Sequence, residues 1–275
     1  MKKKTQWILA AFAYLTILIV AFFVFQGSGN ENHHSDQGSQ QVGHHANHSD
    51  HKTDSHAGHS NEPSQSEVVP VIDYDGEKML ISFKNLKDEP VTELQINHEK
   101  LVHLIVVGDD LEFYQHYHPK EVGDGSYELD VKLPEGYYKV FPDIKPVGYD
   151  YVVEGIDLSV GANGKKKTPT LVGDAEFKQT KDNYTVIMKP SSFKANEEVQ
   201  LRFEIGGGNP EKYLGALGHV VIIDEKIKEF LHVHPVSETE TTFATQFPHP
   251  GKYKIFAEFK LDGTVYYFPY VVEVQ

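Results

Sequence analysis

The body of this chain is an internal repeat, and this feature constrains its fold more than any other. Four residues of the first copy recur 116 residues later: His103, His116, His118 and Pro119 return as His219, His232, His234 and Pro235. The match continues downstream, where "PEGYYKVF" (134–141) corresponds to "HPGKYKIF" (249–256). A sequence that repeats at this length predicts two copies of one domain. We place the first at residues 67–161 and the second at 170–275.

Each copy has the texture of a β-protein. Apolar runs such as "LVHLIVV", "NYTVIMK", "VQLRFEI" and "YKIFAEF" alternate with Gly, Pro, Asn and Asp turns. No long window of the body shows the 3.6-residue apolar period of a helix, and many short strands of this kind are typical of sandwiches. The prediction is an all-β fold with two tandem Ig-like or cupredoxin-like β-sandwich domains. The pattern does not separate those two sandwich types.

Three histidines in each copy have a spacing that a β-hairpin would bring together. We call His103, His116 and His118 the first triplet, and His219, His232 and His234 the second triplet. If Gly108–Leu111 is a four-residue hairpin loop, Val107 pairs with Glu112, and the first two histidines of the first triplet face each other. The third histidine lies two residues further on, and therefore on the same face of the sheet.

The second triplet obeys the same arithmetic. If Ile223 pairs with Lys228, His219 lies opposite His232, with His234 beside them. Cross-strand Cβ atoms are about 4.5–5.5 Å apart, so three imidazole rings would converge in each hairpin. Two different sequences that satisfy one geometric condition indicate a functional site in each repeat.

Three converging imidazoles predict a metal site, one per repeat, with all six triplet histidines as ligands. Imidazole nitrogen suits copper and zinc, whereas calcium and magnesium prefer oxygen. Copper is the favoured cofactor and zinc the alternative. His98 and His249 are candidate fourth ligands, although neither has a counterpart in the other copy.

Two other readings of the histidines remain open. An open three-histidine site could belong to a metal-dependent enzyme, but no paired carboxylate or other general base is evident beside the triplets. Glu112 and Glu229 lie in the hairpins without matching in position. We therefore predict that the protein is not an enzyme. The other reading is a non-metal adhesion or scaffold protein whose histidines respond to pH.

The N-terminal region predicts a membrane protein. Lys2, Lys3 and Lys4 precede an uncharged apolar run from Trp7 to Phe25, which is long enough to span a bilayer. We predict an N-terminal transmembrane helix within residues 1–26, with a cleaved signal peptide as the alternative. The lysines orient the chain as a single-pass cell-membrane protein with extracytoplasmic C-terminal domains.

A His-rich linker follows at residues 27–66. It holds eight of the 16 histidines and almost no apolar side chains, so we predict that it is disordered and collects metal ions. The chain has no cysteine, which excludes zinc–thiolate sites and disulfides. Its net charge of -14 argues against a nucleic-acid partner.

The sequence resembles a group of mostly uncharacterised bacterial extracytoplasmic proteins. These carry an apolar strand that begins with His, then Phe-x-His-x-His-Pro, then a Pro-Gly-x-Tyr strand; the second copy matches with "GHVVIIDEKIKEFLHVHP" and "PGKYKIFAEF". The first copy departs from the pattern in "PEGYYKVF", in lacking Gly before His103 and in having Tyr114 in place of Phe. The resemblance implies copper or other heavy-metal handling. We therefore predict metal buffering, resistance, or delivery to a metal transporter or cuproenzyme.

Overall fold

The computed structural model of the chain describes residues 65–97, 99–161 and 165–275. The predicted membrane segment, all but the last two residues of the predicted linker, and His98 lie outside these ranges. Among the residues that the structure describes, no helix is long and apolar enough to cross a membrane.

The described residues fold into two β-sandwiches, one from each repeat. The strands of the first are β1 (Val68–Tyr74), β2 (Lys78–Asn85), β3 (Leu94–Gln95), β4 (Val102–Gly108), β5 (Tyr114–Tyr117), β6 (Lys120–Gly123), β7 (Ser126–Asp130), β8 (Gly136–Pro146) and β9 (Ile156–Val160). One sheet has the order β1-β2-β7-β6, and the other has the order β3-β8-β4-β5, with β9 also paired to β8. All of these pairings are antiparallel.

The second sandwich is built on the same plan. Its strands are β10 (Lys178–Lys181), β11 (Tyr184–Pro190), β12 (Glu198–Gly206), β13 (His219–Asp224), β14 (Phe230–Val233), β15 (Thr242–Gln246), β16 (Gly251–Leu261) and β17 (Thr264–Val274). The sheets have the orders β10-β11-β12-β15 and β14-β13-β16-β17, again antiparallel. The expected all-β fold of two tandem sandwiches is therefore confirmed.

The two sandwiches pack against each other through the sheets that carry the histidines. Strand β4 is buried on both faces: Leu104 and Val106 point into the core of the first sandwich, whereas Ile105 and Val107 point towards the second. A hydrophobic cluster forms between the sandwiches, and it contains Ile105, Val107, Leu111, Tyr114, Phe141, Leu171, Val221, Ile223, Ile227 and Phe256. Because β4 covers two cores, its sequence is apolar almost throughout rather than alternating.

The predicted hairpin pairing is wrong by two residues. In the first hairpin Val107 pairs with Tyr114 and Ile105 with His116, rather than Val107 with Glu112. The cause lies in the turn, where Leu111 adopts φ 60° and buries its side chain completely. This buried anchor places the four-residue loop one position later than predicted.

The second hairpin has the same shift. Ile223 pairs with Phe230 rather than with Lys228, and Val221 pairs with His232. Ile227 occupies the turn position of the buried anchor, with φ 54°. A shift of two residues leaves every side chain on its predicted face, because strand side chains alternate with a period of two. The convergence of each triplet therefore survives the error.

Candidate metal centre

The structure brings both triplets into one group, which we call the histidine cluster. Within the first triplet the ring centroids lie 4.6–5.1 Å apart. Between the triplets the His103 and His232 rings are 5.0 Å apart, and the His116 and His232 rings 5.4 Å apart. The two triplets therefore face each other across the contact between the sandwiches, a relationship that the sequence left open.

Nδ1 of His103 lies close to a ring nitrogen of each of the other two histidines of the first triplet. Nδ1 of His103 lies 2.9 Å from Nε2 of His116 and 3.2 Å from Nε2 of His118. Nitrogen ligands at about 2.0 Å in a tetrahedral arrangement around a metal ion lie about 3.3 Å apart. The separations from His103 to His116 and from His103 to His118 are therefore close to the spacing that one ion requires.

Outer hydrogen bonds determine which nitrogen of each ring faces inwards. The Nε2–H group of His103 donates to the backbone carbonyl of Asn97 at 2.7 Å, so Nδ1 of the neutral ring carries a lone pair. The Nδ1–H group of His116 donates to Oε2 of Glu258 at 3.1 Å, which leaves the lone pair on Nε2. Two lone pairs therefore face each other at 2.9 Å. Such a contact is favourable only with a cation between the nitrogens.

The second triplet repeats these outer bonds. The Nε2–H group of His219 donates to the backbone carbonyl of Tyr213 at 3.0 Å, and the Nδ1–H group of His232 donates to Oδ2 of Asp143 at 2.6 Å. Nδ1 of His219 is buried and has no hydrogen-bond partner among the described residues. Hydrogen bonds of this kind, from a ligand histidine to a carbonyl or carboxylate, orient the ring in metal sites.

The two carboxylates cross from one sandwich to the other. Glu258 of the second repeat binds His116 of the first, and Asp143 of the first binds His232 of the second. The carboxylates occupy equivalent positions of "YKVFPDI" and "YKIFAEF". The side chains of the two acceptors and of their histidines are all at most 11% exposed. Each triplet is therefore held in place by the other repeat.

Aromatic stacking follows the same crossed pattern. Tyr114 stacks on Phe256 with centroids 4.1 Å apart, and Phe230 stacks on Phe141 at 4.9 Å. The two repeats differ in one hydroxyl group. Tyr114 donates a hydrogen bond of 2.6 Å to Oε1 of Glu258, whereas the equivalent residue of the second repeat, Phe230, has no hydroxyl. The two halves of the cluster are thus similar in geometry but differ in the hydrogen bonding of their carboxylates.

Burial keeps several cluster histidines neutral. Burial lowers the pKa of His103 to about 4 and that of His118 to about 2, with neighbouring histidine charge adding to both decreases. Burial also lowers the pKa of His219. Neutral imidazole is the form that binds a metal ion.

Glu258 behaves in the opposite way to an isolated buried acid. Burial alone raises the pKa of this carboxyl group, but the charge and hydrogen bond of His116 and the hydroxyl of Tyr114 outweigh it, so its pKa is lowered. Burial and the adjacent Glu258 charge raise the pKa of Tyr114 well above its usual value. The carboxylate therefore stays ionised beside the histidines.

Two sets of three histidines could each hold a metal ion. One set is His103, His116 and His232, and the other is His219, His232 and His234; within each set the ligand atoms lie within 4.8 Å of one another. Because His232 belongs to both, the sets are not independent sites. Copper and zinc both accept three imidazoles in this way.

Sequence reasoning located the histidines but missed their carboxylates. No carboxylate beside the triplets was evident from the sequence, yet Asp143 and Glu258 contact them directly. The available signal was an acidic residue at the same place in two otherwise apolar strands. Of the candidate fourth ligands, His98 lies outside the described residues. The side chain of His249 is 70% exposed and lies 3.9 Å from Glu229, so it is not part of the cluster.

Comparison with known families identifies the repeats. The chain matches the family described as "Domain of unknown function (DUF8832)" over residues 74–160 and 178–275, which is more than half of its length. It therefore belongs to this family. No curated protein matches the chain in sequence.

Solved structures with some similarity are also β-proteins. A two-domain fibronectin type III segment of chicken tenascin is 9% identical with a TM-score of 0.24, and the match covers 76% of this chain and 100% of that one. The Escherichia coli adhesin FdeC is 14% identical with a TM-score of 0.23, and the match covers 77% of this chain and 65% of that one. At TM-scores this low, what those proteins bind carries no information about this chain.

Proposed function

We propose that this protein is a metal-binding protein of the extracytoplasmic side of the cell membrane, with the histidine cluster as its specific site. Copper is the first candidate and zinc the second. The role is metal buffering, resistance, or delivery to a metal transporter or cuproenzyme. The predicted His-rich linker would collect ions weakly and raise their concentration near the cluster.

One observation carries this proposal. Nδ1 of His103 and Nε2 of His116 face each other at 2.9 Å, while both of their outer N–H groups are committed to oxygen acceptors. A proton could also bridge the two nitrogens, and burial, which lowers the pKa of His103 to about 4, disfavours placing that proton on the His103 ring. A metal ion would satisfy both lone pairs, and the third nitrogen of the triplet as well.

The choice of metal follows from the donor atoms. All donors are imidazole nitrogens, which suit copper and zinc and are poor ligands for calcium and magnesium. Copper is placed first because the repeats resemble bacterial proteins with apparent links to copper or heavy-metal handling. The position outside the cytoplasm rests on the lysines and apolar run at the N-terminus.

We propose binding rather than catalysis. Both carboxylates beside the cluster accept hydrogen bonds from histidine ring N–H groups, so they serve to orient ligands. A general base would need a carboxylate directed at a bound substrate or water. The buried positions of His103 and His219, each 0% exposed, also favour retention of an ion over exchange with a substrate.

The test is a metal titration that separates the cluster from the linker. The background is the full chain with the eight linker histidines (His33, His34, His44, His45, His48, His51, His56 and His59) changed to Ala, which we call the linker variant. We expect it to bind copper or zinc with a Kd below about 1 µM. Adding His116→Ala, His118→Ala, His232→Ala and His234→Ala should abolish that binding, whereas His249→Ala should leave it unchanged. Absence of binding in the folded linker variant would contradict the proposal.

A further inference from the structure

We infer that the two triplets form a single dinuclear metal centre, which binds a small bridging anion when both ions are divalent. This inference rests on the proposed metal-binding function and goes beyond it. It concerns how two ions would share the histidine cluster and what third component they require.

The ligand atoms are too close together for two isolated sites. His232 lies within 4.8 Å of ligand atoms of both triplets, since it groups with His103 and His116 as well as with His219 and His234. With a metal–nitrogen bond of about 2.1 Å at each end of that 4.8 Å span, two ions would lie no more than about 9 Å apart. At this distance in a buried cluster, the charge of each ion affects the binding of the other.

Rings of the first triplet lie close to more than one ring of the second triplet. His116 lies 5.4 Å from His232 and 6.2 Å from His219, measured between ring centroids. Tyr213 of the second repeat, whose carbonyl orients His219, packs its ring 6.3 Å from that of His118. Side chains of both repeats therefore lie around the histidine cluster.

The charges present match two monovalent ions but fall short for two divalent ions. The inner ligands are neutral imidazoles, and the buried acids beside them are Asp143 and Glu258, one for each triplet. Glu99 raises the pKa of His219 and Lys100 lowers the pKa of His118, so these two outer charges act in opposite directions. Two Cu(I) ions would thus be neutralised, whereas two Cu(II) or Zn(II) ions would leave a buried excess of two positive charges.

Buried charge is unfavourable unless it is compensated. Three protein nitrogens also leave at least one coordination position open on a copper or zinc ion. A monoanion placed between the ions would reduce the excess charge, and it would fill an open position on each ion when the two ions bind within the span of that anion. Hydroxide is the chemical class expected in water, and azide is a suitable probe of the same charge.

The experiment is Cu(II) electron paramagnetic resonance on the linker variant with two equivalents of copper, followed by titration with sodium azide. We expect the signal of a coupled pair, seen as a half-field transition or as an integrated intensity well below two spins per chain. We also expect an azide-to-copper charge-transfer band that saturates at one azide per copper pair. His116→Ala, which removes a ligand of the set His103, His116 and His232 but none of the other set, should leave one copper with a full one-spin signal and no coupling. His249→Ala should retain the coupled signal.

Each other outcome contradicts a defined part of the inference. Two bound copper ions with two independent full-intensity signals would overturn the dinuclear centre and leave the proposed function intact. One copper per chain, held by both triplets together, would overturn it as well. Coupled ions that take up two azides would overturn the bridging anion. Failure to bind any copper would instead contradict the proposed function, so the two failures are distinguishable.

Discussion

Nδ1 of His116 lies 3.1 Å from Oε2 of Glu258, although 142 residues separate them in the chain. This bond crosses from one sandwich to the other, and Asp143 makes the equivalent bond to His232. Neither repeat alone contains a complete set of oriented ligands. The duplication therefore builds a site that depends on the contact between its two copies.

The crossed carboxylates should control metal affinity without being ligands. Glu258→Gln and Asp143→Asn keep the size of each side chain but remove its charge, which weakens the orientation of the partner histidine. Loss of such an outer partner typically costs 10–100-fold in metal affinity. We expect that loss for each variant, measured by competition with a chelator of known affinity. Glu204→Gln, at an exposed ion pair with Lys189, is the control and should change little. Equal affinities for all three variants would contradict the crossed arrangement.

Two adjacent residues of β4 offer a sharper test of the inter-sandwich contact. Ile105 packs between the sandwiches, whereas Leu104 packs inside the first, and both are completely buried. Ile105→Ala and Leu104→Ala should each lower the free energy of unfolding by about 2–5 kcal/mol. Only Ile105→Ala should also weaken metal binding, because Ile105 pairs with His116 and supports the facing sheet. Urea unfolding and metal titration of both variants measure the two effects, and equal losses of affinity would refute the distinction.

Much of the site could be predicted because an error of an even number of residues in strand pairing leaves each side chain on the same face of the sheet. The predicted pairing of Val107 with Glu112 was displaced by two residues, since the turn buries Leu111. Side-chain alternation nevertheless kept all three histidines of the triplet on one face. An odd displacement would have separated them. The type of fold and the convergence within each triplet therefore followed from periodicity alone.

The meeting of the two triplets could not be predicted in the same way. Contact between domains depends on the shapes of whole sheets, which no local pattern specifies. Two signals were nevertheless present in the sequence: the unbroken apolar run "LIVV" of β4, typical of a strand buried on both faces, and the matched acids Asp143 and Glu258 within apolar strands. Together they indicated that the second face of this sheet is also buried and that a polar site lies within that buried region.

Acid should destabilise the metal-free protein. Burial holds the pKa of folded His103 at about 4, below the value of about 6.5 expected in the unfolded chain. Between those values the unfolded chain binds more protons, so the free energy of unfolding falls as the pH decreases from 6.5 towards 4. The full difference amounts to roughly 3 kcal/mol for this residue. The lowered pKa of Glu258 acts in the same direction.

Urea unfolding at several pH values, with a chelator present throughout, measures this dependence. His103→Leu should reduce the slope between pH 6.5 and 4, because the variant has no proton to bind at that position, whereas His118 and His219 keep their share of the slope. The exposed residue His249 provides the matched control, and His249→Ala should keep the original slope. Identical stability of the parent at pH 7 and pH 5 would contradict the prediction.

Metal should stabilise the folded chain, because the unfolded chain lacks the assembled cluster. Free metal at 100 times its Kd would add about 2.7 kcal/mol for each bound ion, and excess chelator should reverse the gain. His116→Ala, which removes a ligand of only one of the two three-histidine sets, should lose about half of the stabilisation. Thermal unfolding of the linker variant with and without metal measures the effect, and an unchanged Tm would count against binding at the cluster.

The most direct measurement of the central claim is an anomalous difference map from crystals of the linker variant grown or soaked with copper or zinc. The account predicts peaks within about 2.1 Å of Nδ1 of His103 and Nε2 of His116, with a second peak at Nδ1 of His219. Peaks confined to surface residues such as His249, with none inside the histidine cluster, would contradict it.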